Sequence, residues 1–198
     1  MTKSLILASS SPRRRSMLEK LDLAFRCESP QLVETRRENE SPPAYARRLA
    51  GEKASCVLDP RNEDTVVLAA DTVVFLGERI LMKPTDESDA VKTLEILSGR
   101  THKVVTGVTV ASEDTMRQTA VVTSVRFRKL SRDEIEWYVA SGEPLDKAGA
   151  YAIQGIGSSF IERIEGSPSN VVGLPLTETL QMLQATGIAP SWKRRKSE

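Results

Sequence analysis

The sequence predicts an α/β fold, and three features of its hydrophobic pattern carry that prediction. Residues 5–8 are a short apolar run followed by Ser9-Ser10-Ser11-Pro12, as expected of a buried strand that leads into a helix. Residues 66–76 are almost continuously Val, Leu and Ala, which is typical of a strand covered on both faces. Residues 102–111 and 118–129 alternate in polarity like paired strands of a mixed sheet.

Helices are predicted between and after these strands. Pro12 stands where a first-turn proline is favoured and predicts a helix over residues 12–21. Ser41-Pro42-Pro43 opens a second helix, and a third ends at Ser98-Gly99. Ser131-x-x-Glu134 is a capping box for a fourth, and a last helix follows Pro175. We expect a single domain over residues 1–190 and a disordered basic tail over residues 191–198.

Composition indicates a globular protein rather than a disordered or membrane protein. Of 198 residues, 39% are hydrophobic and 28% are charged. No apolar run approaches a membrane span, and the N-terminus lacks a signal-peptide core, so we expect a cytoplasmic protein without membrane association. The 28 basic and 27 acidic residues nearly cancel, which makes nucleic acid an improbable partner. Cys27 and Cys56 have no zinc-site spacing and are expected to be reduced thiols.

The segment from Ser9 to Arg14 is the first candidate site. Hydroxyls and free backbone N–H groups at a helix N-terminus attract anions, because the donors point outward and the helix dipole is positive there. The arginine side chains add planar forks suited to phosphate oxygens. The same residues are equally consistent with a serine N-cap flanked by surface arginines.

Asp71 is the best single candidate for a catalytic carboxylate. It interrupts the most hydrophobic strand, and a buried carboxylate is costly unless it is paired, metal-bound or placed at a strand end facing a cleft. Such a group can bind a metal ion or take a proton from water. The alternative is an aspartate satisfied by neighbouring backbone N–H groups.

The glycine-rich segment 146–155 is a weaker candidate, since a turn between two strands would explain it equally well. Its small residues let backbone approach a ligand, Lys147 can neutralise phosphate, and Gln154 can read a base edge. The remaining polar residues have no motif of their own. On sequence grounds, solvated charges are expected at Glu34, Lys53, Lys83, Arg36-Arg37 and Arg47-Arg48, and a loop or core histidine at His102.

Taken together and in order, these segments resemble the Maf-like proteins over essentially the whole chain. The matching segments are Ser9-x-Ser11-Pro12-Arg13-Arg14, Ala70-Asp71-Thr72, Lys83-Pro84, Ser98-Gly99-x-x-His102, Thr106-Gly107-Val108, the run from Gly142 to Gly155, and Asn170-Val171-Val172-Gly173-Leu174-Pro175-Leu176. Each motif is modest alone, and the set is specific. One departure is Leu32-Val33-Glu34, where the family more often has two consecutive acidic residues.

The resemblance implies both a fold and a site. The implied fold is a mixed, bent sheet with flanking helices that form two lobes around a deep nucleotide-binding cleft, as in inosine triphosphate pyrophosphatases. The implied activity is hydrolysis of a nucleoside triphosphate to its monophosphate and pyrophosphate. Asp71 would be the proton acceptor and would hold a divalent metal ion, Mg²⁺ or Mn²⁺, with Glu34. Phosphate would be bound by Ser9, Ser11, Arg13, Lys53 and Lys83. A homodimer is also implied.

Within the family, the segment from Leu145 to Tyr151 is similar to members that prefer dTTP and UTP. Arg13, Thr72 and Gln154 match the positions assigned to base selectivity there, and Asp146 and Lys147 are further cleft residues. Two alternatives stay open. One is a 7-methyl-GTP or broad-range nucleotide pyrophosphatase. The other is a nucleotide- or nucleic-acid-binding regulator of cell division, which only the basic run 193–196 favours.

Overall fold

The computed structural model describes residues 3–59 and 64–194. Asn62-Glu63-Asp64, a sequence that predicts a turn, therefore lies largely outside the described residues, as do Arg195 and Lys196 of the predicted tail. In the part of the chain that is described, no helix is both long enough and apolar enough to cross a bilayer.

One mixed sheet of seven strands forms the centre of the protein. Its strands are β1 (Ser4–Ala8), β2 (Arg26–Glu28), β3 (Thr65–Leu76), β4 (Arg79–Leu81), β5 (Thr101–Ala111), β6 (Met116–Phe127) and β7 (Ile161–Glu165). The spatial order is β2-β1-β3-β5-β6-β7, and β4 pairs with β3. The β1 strand is parallel to β2 and β3, whereas the other pairs are antiparallel.

Helices flank this sheet, which confirms the predicted fold class. They are α1 (Pro12–Glu19), α2 (Pro42–Val57), α3 (Glu87–Leu97), α4 (Arg132–Ala140), α5 (Pro168–Val172), α6 (Leu176–Gln184) and α7 (Ser191–Arg194). Ser11, Ser41 and Ser131 cap α1, α2 and α4, and the predicted capping box of α4 is present. The short helices α5 and α7 were not predicted, and α7 stands where the tail was expected to begin. The glycine-rich segment lies between a helix and a strand, not between two strands.

Strand β3 has a gap along one edge, and this gap positions the site. On that edge, β1 pairs with residues 65–69 of β3 and β4 pairs with residues 74–76. Among the described residues no strand pairs with residues 70–73 there, although β5 pairs with them on the other edge. The gap therefore opens the interior of the sheet to a ligand at Asp71, well inside β3 and at the end of β1.

Alternation along β3 places consecutive side chains on opposite faces. Val67 and Ala69 pack beneath α2, in a cluster with Ala54 of that helix. Val66 and Leu68 pack on the other face, in a cluster with Met17 and Leu18 of α1. Asp71 continues the α2 face, and Thr72 continues the α1 face.

Gly107 lets α2 approach the sheet closely enough for its side chains to reach Asp71. It is the direct cross-strand neighbour of Asp71. A Cβ at Gly107 would lie 2.2 Å from the carbonyl oxygen of Ala46 in α2, a contact with backbone that only a shift of the helix would relieve. Glycine at this position thus sets the spacing between α2 and the sheet.

We predict that Gly107→Ala destabilises the protein by about 1–3 kcal/mol, the usual cost of overpacking. Gly51→Ala is the matched control, because its Cβ would meet only the flexible end of Gln118, at 2.3 Å. Urea unfolding of both variants measures the difference. Equal stability of the two variants would contradict this account of the helix spacing.

Candidate active site

A cavity of about 520 Å³ opens at the gap in β3. The structure brings every site residue predicted from the sequence to its wall: Ser9, Ser11, Arg13, Glu34, Lys53, Asp71, Thr72, Lys83, Asp146, Lys147 and Gln154. Five cationic and three acidic side chains line it, which suits a ligand carrying several negative charges. Gathering the residues in one cavity does not by itself assign their individual roles.

Lys53 joins two of the three carboxylates that line the cavity. Its ammonium lies 2.5 Å from Asp71 Oδ1 and 2.6 Å from Glu34 Oε1. Asp71 and Lys53 are both buried, so each needs a charged or hydrogen-bonding partner, and each supplies one for the other. Of the explanations considered for Asp71, pairing with a cation is therefore the one observed. The expectation that Lys53 is a solvated surface charge was wrong.

The N-terminus of α1 forms a second part of the wall. Ser11 caps the helix by accepting the Arg14 N–H, and Ser9 Oγ accepts the Ser11 N–H at 3.2 Å. Arg13 projects from the first turn toward Asp146, with 3.6 Å between the charged groups. Because Asp146 is largely exposed, this ion pair is weak and leaves the Arg13 guanidinium available.

Arg14 was predicted only as one of the arginines beside the helix N-terminus, and in the structure it makes specific contacts inside the site. Its Nε donates to the Gly173 carbonyl at 2.8 Å, Nη1 to Ser9 Oγ at 3.2 Å, and Nη2 to Thr72 Oγ1 at 2.9 Å. Burial lowers the pKa of this guanidinium, although the charge of Asp71 opposes that effect. A signal existed in the sequence, since Arg14 precedes the buried Met17 and Leu18 by three and four residues and so shares their helix face.

Glu143 organises the loop that carries Lys147 and Gln154. Its carboxylate accepts hydrogen bonds from Tyr138 Oη at 2.8 Å, Ile156 N at 2.9 Å and Gly157 N at 3.0 Å. Burial tends to raise its pKa, but these donors outweigh burial and the net pKa is lowered. Lys147 is fixed in turn by the Glu143 carbonyl and by Asp146, whose pKa it lowers through their hydrogen bond.

His102 and Tyr151 anchor the same loop to the sheet. His102 Nε2 lies 2.8 Å from Tyr151 Oη, and both rings are buried against Phe127. Burial lowers the pKa of His102 to about 4, so its imidazole is neutral near pH 7. This confirms a core histidine at position 102.

Arg48 holds the segment that carries Glu34. It donates to Glu40 at 2.7 Å, to Glu52 at 3.0 Å and to the Thr35 carbonyl at 2.9 Å. Only 16% of its side chain is exposed, so the expected solvated charge at this position was also wrong. Arg48 fixes residues 35–40 against α2 and thereby keeps Glu34 near Lys53.

The carboxylates of Glu34 and Asp71, which both contact Lys53, are candidate ligands for a metal ion. Within residues 3–59 and 64–194, no cluster of three or more His, Cys, Asp or Glu side chains could hold one. Mg²⁺ commonly uses one or two carboxylates and completes its shell with substrate phosphates and water. Glu34 and Asp71 meet that requirement, because both already converge on a single cation, the Lys53 ammonium.

Fold and cavity together define an α/β protein with a cleft for a small phosphorylated ligand. A family model described as Maf-like protein matches residues 4–186. The chain belongs to this family.

Several relatives match along nearly their full length. A dTTP/UTP pyrophosphatase of Myxococcus xanthus is 50% identical over 190 residues, covering 96% of this chain and 95% of the relative. Proteins of the same name from Hahella chejuensis and Photorhabdus laumondii are 48% and 47% identical, over 94% and 91% of this chain and 94% and 93% of their own. The Staphylococcus aureus Ham1 protein aligns with a TM-score of 0.47 at 14% identity, over 63% of this chain and 72% of that one.

We predict that Lys53→Met destabilises the protein by about 3 kcal/mol, because it leaves a buried carboxylate without its counter-charge. Adding Asp71→Asn to Lys53→Met should restore part of that loss. Urea unfolding of the wild type, the two single variants and the double variant gives the coupling free energy. Additive effects would show that the two side chains do not depend on each other.

The folded state should also become less stable as the pH is lowered, because of His102. Its folded pKa of about 4 lies below the ordinary value of 6.5, so between these values the unfolded chain binds a proton that the folded chain does not. The wild type should therefore lose about 3 kcal/mol relative to His102→Gln between pH 7 and pH 4. Denaturant unfolding across this range measures it, and parallel curves would refute the assignment.

Proposed function

We propose that this protein hydrolyses dTTP and UTP to the nucleoside monophosphate and pyrophosphate. The observation that carries the proposal is the buried Asp71–Lys53 pair, which faces a cationic cavity through a gap in the sheet. Membership of the Maf-like family and relatives named dTTP/UTP pyrophosphatase support the same activity. Removal of surplus or modified pyrimidine nucleotides would be its use to the cell.

Asp71 is the proton acceptor in this proposal. Its Oδ1 is bound to Lys53, which leaves Oδ2 to take a proton from the attacking water. The backbone on either side of Asp71 belongs to a central strand, so the carboxylate is held rigidly at the open edge. That rigidity suits a general base, since positioning accounts for much of its effect.

The phosphate chain would lie against Arg13, Lys83 and the N-terminus of α1. These cations and the hydroxyls of Ser9 and Ser11 all line the cavity. They would neutralise the charge that develops on the departing pyrophosphate. Preformed electrostatic stabilisation of this kind is usually the largest contribution to phosphoryl-transfer catalysis.

A divalent cation, Mg²⁺ or Mn²⁺, would be held by Glu34 and Asp71. When bound, it would polarise the phosphate oxygens and acidify a coordinated water. Lys53 would then keep the remaining negative charge of the two carboxylates neutralised.

Base selectivity would rest on Arg13, Thr72 and Gln154. Gln154 is exposed on the cavity wall, and its amide offers both donors and an acceptor to a uracil or thymine edge. Thr72 lies on the opposite face of β3 from Asp71. Proton transfer at Asp71 and base recognition at Thr72 would thus involve adjacent residues of β3 that face opposite sides of the sheet.

Asp71→Asn should lower kcat by about 10²–10⁴-fold, the usual contribution of a general base. Affinity for a non-hydrolysable α,β-methylene UTP should stay close to that of the wild type, because asparagine keeps the shape of the side chain. Asp133→Asn, on the exposed surface of α4, is the control for the same chemical change. Ion chromatography of the products and calorimetry of binding are the two measurements.

The same product analysis decides among the alternatives. UMP or dTMP with pyrophosphate is the expected result with Mg²⁺ or Mn²⁺, and nucleoside diphosphate with orthophosphate would overturn cleavage between the α- and β-phosphates. Preferential turnover of 7-methyl-GTP would replace the pyrimidine assignment. Binding without turnover would favour the regulator.

A further inference from the structure

The Thr72 hydroxyl belongs to a hydrogen-bonded chain beneath the cavity. Thr72 Oγ1 lies 2.9 Å from Arg14 Nη2 and 2.9 Å from Thr106 Oγ1. Thr106 Oγ1 in turn lies 3.0 Å from the carbonyl oxygen of Asn170. Thr106 and Asn170 are fully buried, and neither lines the cavity.

The two ends of this chain fix its direction. A guanidinium can only donate and a carbonyl can only accept, so Arg14 donates to Thr72 and Thr106 donates to Asn170. Thr106 has a single hydroxyl hydrogen, and because Asn170 takes it, the hydrogen between the threonines comes from Thr72. The other acceptor for Thr72, the Gly173 carbonyl, is 3.5 Å away, whereas Thr106 Oγ1 is 2.9 Å away, so the carbonyl competes poorly.

Thr72 then has one hydrogen-bonding capacity left. Its hydrogen points to Thr106 and one lone pair receives the Arg14 N–H, which leaves one lone pair for a ligand. We infer that Thr72 presents only an acceptor to the bound nucleotide, and that Arg14 and Thr106 are positioning residues that enforce this polarity. The ligand group that it selects is an N–H donor.

This inference rests on the proposed function and refines its choice of substrate. Uracil and thymine carry an N–H at ring position 3, whereas cytosine has a bare nitrogen there. A Thr72 hydroxyl that can only accept would form a hydrogen bond with the ring N–H of uracil or thymine. With cytosine, a lone pair of the Thr72 oxygen would face the lone pair of the ring nitrogen, and no hydrogen bond would form. A site that leaves polar groups unpaired rejects the wrong ligand more strongly than one that merely lacks a contact.

The test removes the acceptor of the Thr72 hydroxyl hydrogen by substituting a residue that does not line the cavity. In Thr106→Val the acceptor is removed, so the Thr72 hydroxyl can turn and donate to cytosine. The ratio of kcat/KM for UTP to that for CTP should fall by about fivefold or more, the change expected for one hydrogen bond. Thr106→Ser keeps the hydroxyl and should keep the ratio.

Thr109→Val is the matched control, because Thr109 is a fully buried threonine of the same strand whose hydroxyl accepts from Gln118 instead. Its ratio should match that of the wild type. An unchanged ratio in Thr106→Val would overturn the inference. If Thr106→Val does not fold, Thr72→Val replaces it, and kcat/KM for UTP should then fall more than kcat/KM for CTP. A parallel drop with both nucleotides would contradict an acceptor role.

A different result would overturn the proposed function without overturning the inference about Thr72. A wild type that hydrolyses neither UTP nor dTTP overturns it, and the ratio of UTP to CTP affinities from calorimetry then carries the test of Thr72. In that measurement Thr106→Val should again narrow the ratio, and equal narrowing in Thr109→Val would overturn the inference.

Discussion

The contact between the Lys53 ammonium and the Asp71 carboxylate is the constraint on which the rest of the site depends. A carboxylate inside a central strand needs a buried partner, and the partner comes from a helix that must lie unusually close to the sheet. Gly107 permits that approach directly opposite Asp71. The carboxylate also needs access to a ligand, which the gap between β1 and β4 supplies. The β5 edge of β3, where Gly107 lies, thus allows the buried ion pair, and the opposite edge, between β1 and β4, gives a ligand access to Asp71.

Beyond this pair, the site is held by polar contacts made in and around the cavity wall. Arg48 fixes the segment bearing Glu34. The Glu143 carboxylate fixes the loop bearing Gln154 by accepting hydrogen bonds from Ile156 N and Gly157 N, and it accepts a third from Tyr138 Oη. Arg14 ties the end of β1 to Thr72 and to Gly173. Of the three residues, Arg14 makes the contacts of longest range, to Thr72 and to Gly173.

Local pattern predicted the main strands, the larger helices and their caps, because alternation, serine caps and proline positions act over a few residues. It predicted Asp71 from the cost of burying a carboxylate, but not its partner, since Lys53 reaches it only after α2 packs on the sheet. Arg48 and Lys53 both looked solvated for this reason. Glu143 lies in the run that matches the family, but no local pattern indicated its role, since its partners Ile156 and Gly157 follow 13 and 14 residues later. The individual roles of the cavity residues remain predictions.

The charge balance around Lys53 also bears on how a nucleotide enters. Two carboxylates share one ammonium, so the trio of Glu34, Lys53 and Asp71 carries a net negative charge toward the cavity. A triphosphate approaching Asp71 would be repelled by that charge unless cations accompany it or lie beside its path. Arg13 and Lys83 lie on the same wall, and a divalent cation would add positive charge at the carboxylates themselves. In the proposed reaction, a nucleotide accompanied by a metal ion would therefore meet less repulsion at these carboxylates than a bare triphosphate.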